Sequence, residues 1–585
     1  MSHSGNWKIL ADHVDDLPEA GADSALPSLA EKLLALRGIT GEAARIFLNP
    51  TLAQLPVPDT LHGLKPALDL LINALERKIQ VVIYGDYDAD GTTATALLAT
   101  FMKHAGFRCS SYIPDRLTEG YSLNRKALAE LKNRYSPDGA NGMLLVTVDC
   151  GISNHQEVDE ARAMGYSVII TDHHRPSETI PEADAVINPH LPECAFPFTD
   201  LAGVGVAFYL IAGLRARLKE IGCWQDERQP NLKEYLDLVA IGTVADMVPL
   251  TGANRILVKA GLEMIRNSPR PGIKALLKKA NITPGSVSAE SISFHLAPRL
   301  NAAGRIGTPL VALELLMAEN PLAAEGNASL LEEANQQRRS ISDEIFADAC
   351  VAADQQLAGG ERGLVLASRN WHKGMLGLVA SRMVSKYDHP TILFTIEEDG
   401  TATGSGRSVS GLDIHTILEN MSEMLIRFGG HKAAVGISIH EENIDLFRER
   451  FHELVHRQLQ DRELKPPLTV DLRASFEDVF DPAFLDTYKK MEPFGFDNPQ
   501  PIFCCSFDAG HLKDIKGIGN GSIRLRYEGE SVSVNSVGFG KADLFSNLTS
   551  RSSINLAYKI TLNEFRGISN WEARIEDAEV FNTSN

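Results

Sequence analysis

The stretch QVVIYGDYDADG, residues 80–91, joins a compact apolar run to three aspartates on alternate positions, Asp86, Asp88 and Asp90. The apolar half predicts a buried β-strand. Carboxylates this close together repel one another and each resists the loss of water, so we expect a cation to compensate them. A different interpretation is that Asp90 merely caps the helix predicted by the next residues, TTATALLATFMKHAG (92–106).

Two further segments repeat the pattern of an apolar strand that ends in polar residues. GMLLVTVDCG (142–151) predicts a second strand, and the helical pattern HQEVDEARAMG (155–165) follows it. YSVIITDHH (166–174) predicts a third strand. Strands that alternate with helices indicate an α/β fold with a parallel sheet and right-handed crossovers.

The polar residues at these strand ends suit divalent cations. The carboxyl ends of parallel strands line one crevice, so we expect Asp149, Asp172, His173 and His174 to join the first three aspartates. Asp246, in GTVADMV, is a further candidate, although it too could cap a helix. Carboxylates with imidazole favour Mn²⁺ or Mg²⁺. So many ligands predict two ions, and such a pair can activate water and neutralise a phosphoryl group.

The 585 residues are too many for a single core and predict several domains. Residues 321–358 contain almost no Gly or Pro and predict a long connector helix, which GGERG (359–363) ends. A second α/β pattern and then short strands with Gly and Asn turns come after it, and the short strands suggest an OB-like barrel. The predicted units are a helical N-terminal extension (1–60), a first α/β domain (61–320), a connector helix (321–359), a second α/β domain (360–465) and a β-rich OB-like domain (466–585).

The composition restricts the class of protein. A net charge of −19 argues against a chain held to nucleic acid by its overall charge, but it leaves room for a local basic groove. Seven scattered cysteines without a CxxC pair favour reduced thiols in a cytoplasm. We find no apolar run of membrane-spanning length and no signal peptide, so we expect a cytoplasmic protein that does not bind membranes.

The motifs YGDYDADG (84–91), TVDCGIS (147–153), TDHH (171–174) and GTVADMVPL (242–250) together resemble the DHH phosphoesterase superfamily. Further motifs make the chain most similar to the bacterial RecJ family, the single-strand-specific 5′→3′ DNA exonucleases. These are LAGVGVAFYL (201–210), APRLNAAGR (297–305), WHKGMLGLVASR (371–382), GSGRS (404–408), GGHKAAVG (429–436) and MEPFGFDNPQPIF (491–503).

The resemblance implies a DHH catalytic domain, a DHHA1 domain and an OB-type tail. It also implies that Asp172 orients its histidine neighbours rather than binding metal. Related members begin the first motif with a His ligand where this chain has Tyr84, which leaves the division of ligands between two metals open. The implied catalytic and metal-binding residues are Asp86, Asp88, Asp90, Asp149, His173 and His174, with Asp246 as a further metal ligand.

Substrate-binding candidates lie outside the strand ends. In GSGRS the glycines let backbone approach a phosphate, and the resemblance assigns Ser405 and Arg407 to the 5′ phosphate of the substrate. The alternative is an ordinary Gly-rich turn with a solvated Arg. Arg299, Asn301 and Arg305 either hold a backbone phosphate or brace the sheet. Arg116, His372 and His431 are further candidates for contact with the substrate.

The expected function is metal-dependent removal of 5′-mononucleotides from single-stranded DNA in recombination, mismatch repair and excision repair. The expected enzyme is a monomer that works with a helicase and a single-strand-binding protein. One alternative is an oligoribonuclease or cyclic-dinucleotide phosphodiesterase of the same superfamily. The other is a non-catalytic scaffold that binds single strands.

Overall fold

The fold is taken from a computed structural model. It describes residues 7–11, 26–116, 119–120, 122–136, 142–224, 229–459, 467–565 and 568–582. Within them the chain forms two α/β units, a long helix between the two, and a C-terminal unit rich in strands. The expected succession of architectures is therefore confirmed.

The N-terminal segment contains a strand as well as helices. Its elements are β1 (Trp7–Ala11), α1 (Ser28–Leu36) and α2 (Gly41–Leu48).

The first α/β unit is built around five parallel strands. Their order in the sheet is β3-β2-β4-β5-β6. Residues 232–250 contain the apolar helix α8 (Leu236–Ala245). The elements are α3 (Leu64–Glu76), β2 (Gln80–Gly85), α4 (Ala89–His104), β3 (Cys109–Tyr112), α5 (Arg125–Tyr135), β4 (Met143–Val148), α6 (His155–Ala163), β5 (Tyr166–Thr171), β6 (Ala185–Ile187), α7 (Gly203–Glu220), α8 (Leu236–Ala245), α9 (Gly252–Asn267), α10 (Pro271–Lys279), α11 (Ala289–Ser291), α12 (Ala297–Ile306) and α13 (Leu310–Leu316).

The central strands of this sheet are covered by helices on both faces. Every residue of β4, MLLVTV, is buried, which explains its unbroken apolar sequence. The long helix α14 (Pro321–Ala358) then packs on α10, α12 and α13 before it reaches the second α/β unit.

The second α/β unit has a mixed sheet of order β10-β11-β9-β8-β7, in which β7 and β8 are parallel. Helix α15 packs on one face, against β8 and β9, and α16 and α17 pack on the other. The elements are β7 (Leu364–Ser368), α15 (Leu376–Tyr387), β8 (Thr391–Ile396), β9 (Thr401–Arg407), α16 (Ile414–Glu419), β10 (Leu425–His431), β11 (Ala434–His440) and α17 (Ile444–Leu459).

The C-terminal unit is an eight-stranded sheet that includes the N-terminal strand. Strand β1 pairs in parallel with β12, and α1 and α2 bury their apolar faces in the core of this unit. Its sheet order is β1-β12-β13-β17-β18-β16-β15-β14. The elements are β12 (Leu468–Arg473), α18 (Phe476–Val479), α19 (Pro482–Met491), β13 (Phe503–Asp508), β14 (Leu512–Gly517), β15 (Ile523–Glu528), β16 (Ser533–Gly538), β17 (Ser552–Phe565) and β18 (Ile568–Asn582).

In the part of the chain that the structure describes, no helix combines the length and the apolar character needed to span a membrane.

Candidate metal centre and phosphate-binding site

The ligand residues converge at the carboxyl edge of the parallel sheet. The last residues of β2, β4 and β5 are register partners, so the next residue of each strand enters the same row. Those next residues are Asp86, Asp149 and Asp172. The candidate ligands other than Asp86 and Asp149 follow one to four residues later, or come from the end of α8 in the case of Asp246.

Three overlapping groups of side chains place their ligand atoms within 4.8 Å of one another. Asp149 and His173 each belong to two groups, so the three groups form one continuous cluster. We call it the ligand cluster. The groups are Asp86, Asp88 and Asp149; Asp149, His173 and His174; and Asp90, His173 and Asp246.

Backbone N–H groups hold the first carboxylates in place. Asp88, rather than Asp90, caps helix α4, because its Oδ1 accepts hydrogen bonds from the N–H groups of residues 90 and 91, both at 3.0 Å. Asp90 instead accepts from the N–H groups of Gly203 at 2.6 Å and Val204 at 3.0 Å, at the start of α7. The interpretation of Asp90 as the helix cap is therefore wrong, and its carboxylate is oriented by a second helix N-terminus.

Two glycines allow helices to approach the carboxylates closely. A Cβ atom on Gly203 would lie 2.6 Å from Asp149 Oδ1, and one on Gly242 would lie 2.6 Å from Asp90 Oδ1. Any side chain at either position would displace a ligand oxygen. The motifs LAGVGV and AIGTVAD therefore serve the ligand cluster as well as their own helices.

Asp172 orients His174. Its Oδ1 accepts a hydrogen bond from His174 Nδ1 at 2.8 Å, and its Oδ2 accepts one from the N–H of Ile152 at 3.0 Å. Burial opposes ionisation of Asp172, but the hydrogen bond and charge of His174 lower its pKa below the ordinary value. The bond at Nδ1 leaves Nε2 as the nitrogen of His174 that can bind a cation.

The electrostatics of the cluster call for positive charge. Burial, followed by repulsion from neighbouring carboxylates, raises the pKa of Asp90 to about 7 and that of Asp246 to about 9. The same causes raise the pKa of Asp149 well above its ordinary value. Burial and the nearby charge of His174 lower the pKa of His173 to about 4, so its imidazole is neutral near pH 7.

Two buried polar atoms have the environment expected of metal ligands. Asp149 Oδ1 and His173 Nε2 lie 3.1 Å apart, and neither has a hydrogen-bond partner among the described residues. Buried polar atoms rarely remain unsatisfied, and a cation bound by both would satisfy them. The oxygen and imidazole donors, without a Cys, fit Mn²⁺ or Mg²⁺ rather than a structural zinc.

A group of arginines lies beside the ligand cluster, and we call Arg116, Arg305 and Arg407 the arginine rim. Burial and then the charge of Arg116 lower the pKa of both Arg305 and Arg407. The guanidinium of Arg116 lies over the ring of Tyr87, 4.9 Å from its centroid. Guanidiniums that repel one another beside a carboxylate cluster form a site for an anion such as a phosphate.

Arg407 and Ser405 lie together on β9, next to the first turn of α15. Arg407 Nη1 donates to Ser405 Oγ at 3.1 Å. A Cβ atom on Gly377 would lie 2.9 Å from Arg407 Nη2 and 3.2 Å from Ser405 Oγ, so a side chain at this position would displace the guanidinium of Arg407. The two side chains therefore lie side by side against the first turn of α15.

The other substrate-binding candidates have different surroundings. Asn301 Oδ1 accepts from the N–H of Ala89 at 2.7 Å and so supports the aspartate loop. Buried Arg299 donates to Glu332 Oε2 at 2.6 Å, which favours the bracing role for this residue. His372 Nδ1 accepts from the N–H of Gly374 at 3.1 Å, and His431 is exposed on β10.

Tyr84, which stands where related proteins have a ligand, is not part of the cluster. Its hydroxyl donates to the carbonyl of Ser122 at 3.1 Å inside the core.

Sequence reasoning did not identify Tyr87, Gly203, Gly242 or Gly377 as parts of the site. Only Gly203 had a signal in the sequence, because the motif LAGVGV places two glycines at the start of a helix.

Comparison with protein families gives three matches in chain order. The DHH family, N-terminal domain, matches residues 80–243, the DHHA1 domain matches residues 360–457, and the RecJ OB domain matches residues 470–577.

Relatives and solved structures agree with these matches. The single-stranded-DNA-specific exonuclease RecJ of Salmonella typhimurium is 37% identical over 577 residues, which are 96% of this chain and 97% of the relative. The same-named protein of Escherichia coli is 37% identical and covers 95% of this chain and 96% of its own. A crystal structure of RecJ with Mn²⁺ from Thermus thermophilus superposes with a TM-score of 0.80 at 28% identity, over 98% of this chain and 79% of that one. A second crystal structure of that protein contains Mg²⁺, and its TM-score is 0.74.

The three family matches occur in chain order, and the 37% identity extends along almost the whole chain. Together with the ligand cluster at the carboxyl edge of the sheet, they show that the chain belongs to the RecJ family of exonucleases.

Proposed function

We propose that the protein is an exonuclease that removes mononucleotides from single-stranded DNA in the 5′→3′ direction. One observation carries the proposal. The ligand cluster on the first α/β unit and the Ser405–Arg407 site on the second are connected beside the arginine rim, since Arg305 Nη1 donates to the carbonyl of Gly374, three residues before the Gly377 that lies against Arg407. Such an arrangement holds a terminal phosphate at a set distance from the bond to be hydrolysed.

The residues of the second α/β unit bind the end of the strand. Ser405 donates a hydroxyl hydrogen bond and Arg407 a charge-assisted one to the 5′ phosphate, and the N-terminus of α15 adds backbone N–H donors. Arg305 bonds the carbonyl of Gly374 at 3.2 Å and so ties the two units together beside the site. The position of the bound end is therefore fixed relative to the ligand cluster.

The residues of the first α/β unit prepare the hydrolytic centre. Divalent cations, when bound to the ligand cluster, supply charge neutralisation at the phosphate and lower the pKa of water. Asp88 and Asp90 keep their carboxylates aimed through backbone hydrogen bonds. Asp172 holds the Nδ1 proton of His174, and Arg116 and Arg305 bind the negative charge of the phosphodiester.

We propose that strand selection is steric, with the substrate held between the two α/β units where one strand, but not a duplex, is accommodated. The proposed location of the enzyme is the cytoplasm. We propose that it works there as a monomer, alongside a helicase and a single-strand-binding protein, in recombination, mismatch repair and excision repair.

Digestion of end-labelled DNA tests the proposal. A single strand with a 5′ phosphate is incubated with Mn²⁺, with Mg²⁺ or with EDTA, and the same strand with a 5′ hydroxyl and a duplex of the same sequence serve as controls. We expect a 5′ label to be released as a mononucleotide at once, and a 3′ label to remain on progressively shorter strands. Early release of the 3′ label, or equal cleavage in EDTA, would refute the proposal.

A further inference from the structure

Asp246 has less local support than the other carboxylates of the ligand cluster. Among the described residues no hydrogen bond reaches its carboxylate, whose Oδ2 lies 3.5 Å from His173 Nε2. By contrast, Asp86 accepts a hydrogen bond from the N–H of Tyr87 at 2.8 Å, and Asp88 and Asp90 accept two each. The position of Asp246 therefore depends on the backbone that carries it.

That backbone is a short loop between α8 and α9. The N–H of Asp246 donates to the carbonyl of Gly242 at 2.9 Å and that of Met247 to the carbonyl of Val244 at 3.4 Å, and Met247 has a φ of 60° and a side chain that is 70% exposed. Further along the loop, Val248 packs against the core of the first α/β unit, and two hydrogen bonds follow it. The carbonyl of Pro249 accepts from Asn254 Nδ2 at 3.0 Å, and the N–H of Leu250 donates to the carbonyl of Phe496 at 2.8 Å.

Phe496 belongs to MEPFGFDN (491–498), a conspicuous motif of the C-terminal unit that the proposed chemistry does not use. The motif forms a rigid turn, because Gly495 and Asn498 exchange backbone hydrogen bonds of 2.9 and 3.2 Å. Buried Asn498 also donates to the carbonyls of Met491 and Pro493 at 3.1 and 2.7 Å.

Arg255 fastens this motif to the first α/β unit. It lies on α9, five residues after Leu250, and is buried. Its guanidinium donates to the carbonyls of Lys490 at 2.8 Å, Glu492 at 2.9 Å and Phe47 at 2.9 Å. The motif is thus held at the end of the Asp246 loop and again on the helix that follows it.

We propose that residues 491–498 of the C-terminal unit are a positioning element for Asp246, through the contact of Gly495 and Phe496 with Leu250. This inference rests on the metal-dependent function proposed above. Its consequence is that part of the metal affinity of the first α/β unit comes from a segment about 250 residues further along the chain.

The contact offers a sharp substitution. A Cβ atom on Gly495 would lie 2.6 Å from Leu250 Cδ1 and 3.2 Å from its Cγ, while the φ of Gly495 is outside the positive region. Gly495→Ala therefore pushes the buried Leu250 side chain without straining the turn itself. The matched control is Gly517→Ala in the same unit, where a Cβ atom has no atom within 4 Å.

Binding of Mn²⁺ without DNA is the measurement, with free Mn²⁺ followed by electron paramagnetic resonance. We expect Gly495→Ala to weaken binding by about 10-fold, as loss of a supporting contact does at other metal sites, and Gly517→Ala to leave it unchanged. Nuclease activity of Gly495→Ala should be low at limiting Mn²⁺ and recover at saturating Mn²⁺, with the KM for DNA unchanged.

A second pair of variants separates positioning from general loss of stability. Leu250→Val loosens the same contact without adding an atom, and we expect a smaller loss of Mn²⁺ affinity. The double variant Gly495→Ala/Leu250→Val lacks the Cδ1 atom that clashes, so its affinity should exceed that of Gly495→Ala. The proposal is overturned if Gly495→Ala lowers the melting temperature but binds Mn²⁺ like the wild type, or if the double variant shows no recovery. Because these titrations contain no DNA, they do not depend on the polarity or the substrate of the nuclease.

Discussion

The ligand cluster and the Ser405–Arg407 site lie on opposite sides of the contact between the two α/β units, and they are built differently. The ligand cluster stands at the end of a parallel sheet, and backbone N–H groups aim its first carboxylates. The Ser405–Arg407 site stands on an antiparallel strand, and the two side chains bond mainly each other and nearby carbonyls. The fold fixes the ligand cluster before anything binds. The Ser405–Arg407 site relies on side chains whose positive charge an anionic ligand would neutralise.

Removal of a carboxylate at the centre of the ligand cluster should have the largest effect. Asp149 belongs to two of the three ligand groups, so we expect Asp149→Ala to lower the cleavage rate by about 10³-fold. Binding of single-stranded DNA should persist, because the phosphate donors lie elsewhere. Initial rates and fluorescence anisotropy with labelled DNA measure the two effects.

Asp69→Ala is the matched control for that experiment, since Asp69 is exposed on α3 of the same unit. An Asp149→Ala protein that cleaves at the wild-type rate would show that the cluster is not the hydrolytic centre. One that loses DNA binding in parallel with cleavage would show that the two regions are not separate.

The second prediction concerns the phosphate side of the comparison. Arg407→Gln removes a charge-assisted donor, and we expect the KM for 5′-phosphorylated DNA to rise by about 10- to 100-fold. The KM for DNA with a 5′ hydroxyl should change little. Arg450→Gln, on the exposed face of α17, is the control. Equal losses on both substrates would contradict the assignment of this site to the terminal phosphate.

The third prediction uses the titration of the ligand cluster. The pKa values of about 7 for Asp90 and about 9 for Asp246 exceed the value of about 4 in an unfolded chain. Between about pH 4 and about pH 9 the metal-free native chain therefore binds more protons at these two groups than the unfolded chain does. Its stability falls as the pH rises through this window. Since bound cations replace those protons, the increase in Tm caused by Mn²⁺ should be larger at about pH 8.5 than at about pH 6.

Calorimetry with and without Mn²⁺ checks this pH dependence. Asp246→Asn removes a carboxyl whose pKa is raised to about 9, so the difference between the two pH values should shrink. A stabilisation by Mn²⁺ that is independent of pH would contradict the proposed competition between protons and cations.

The comparison also explains which features the sequence could predict. Strand-end residues such as Asp86 and Asp149 were predictable, because a parallel sheet brings consecutive strand ends to one edge whatever the rest of the fold does. The pairing of β1 with β12 was not predicted, since two segments about 460 residues apart leave no local pattern in either. Gly377 was not predicted either, because the close approach of α15 to Arg407 is visible only in the folded structure.

Some residues had two open interpretations in the sequence, and only their contacts in the fold distinguish one residue from another. The motif APRLNAAGR contains three polar side chains of similar spacing, yet Asn301 supports the aspartate loop, Arg305 joins the arginine rim and Arg299 pairs with α14. Helical spacing shows which residues share a face, but it does not show what that face meets.

Arg299 provides the prediction with the smallest expected effect on catalysis. Its guanidinium is buried against Glu332 and the carbonyl of His295 at 2.7 Å, away from the phosphate donors. Arg299→Gln leaves Glu332 without its ion-pair partner, so we expect a loss of about 3 kcal/mol in the free energy of unfolding. The kcat and KM of the folded enzyme should stay within about twofold of the wild type, because surface and bracing substitutions act on stability rather than on the reacting groups. Urea unfolding measures the expected loss of stability, and steady-state kinetics on the same sample measure kcat and KM. A large rise in KM at unchanged stability would show that Arg299 binds DNA and does not brace the contact with α14.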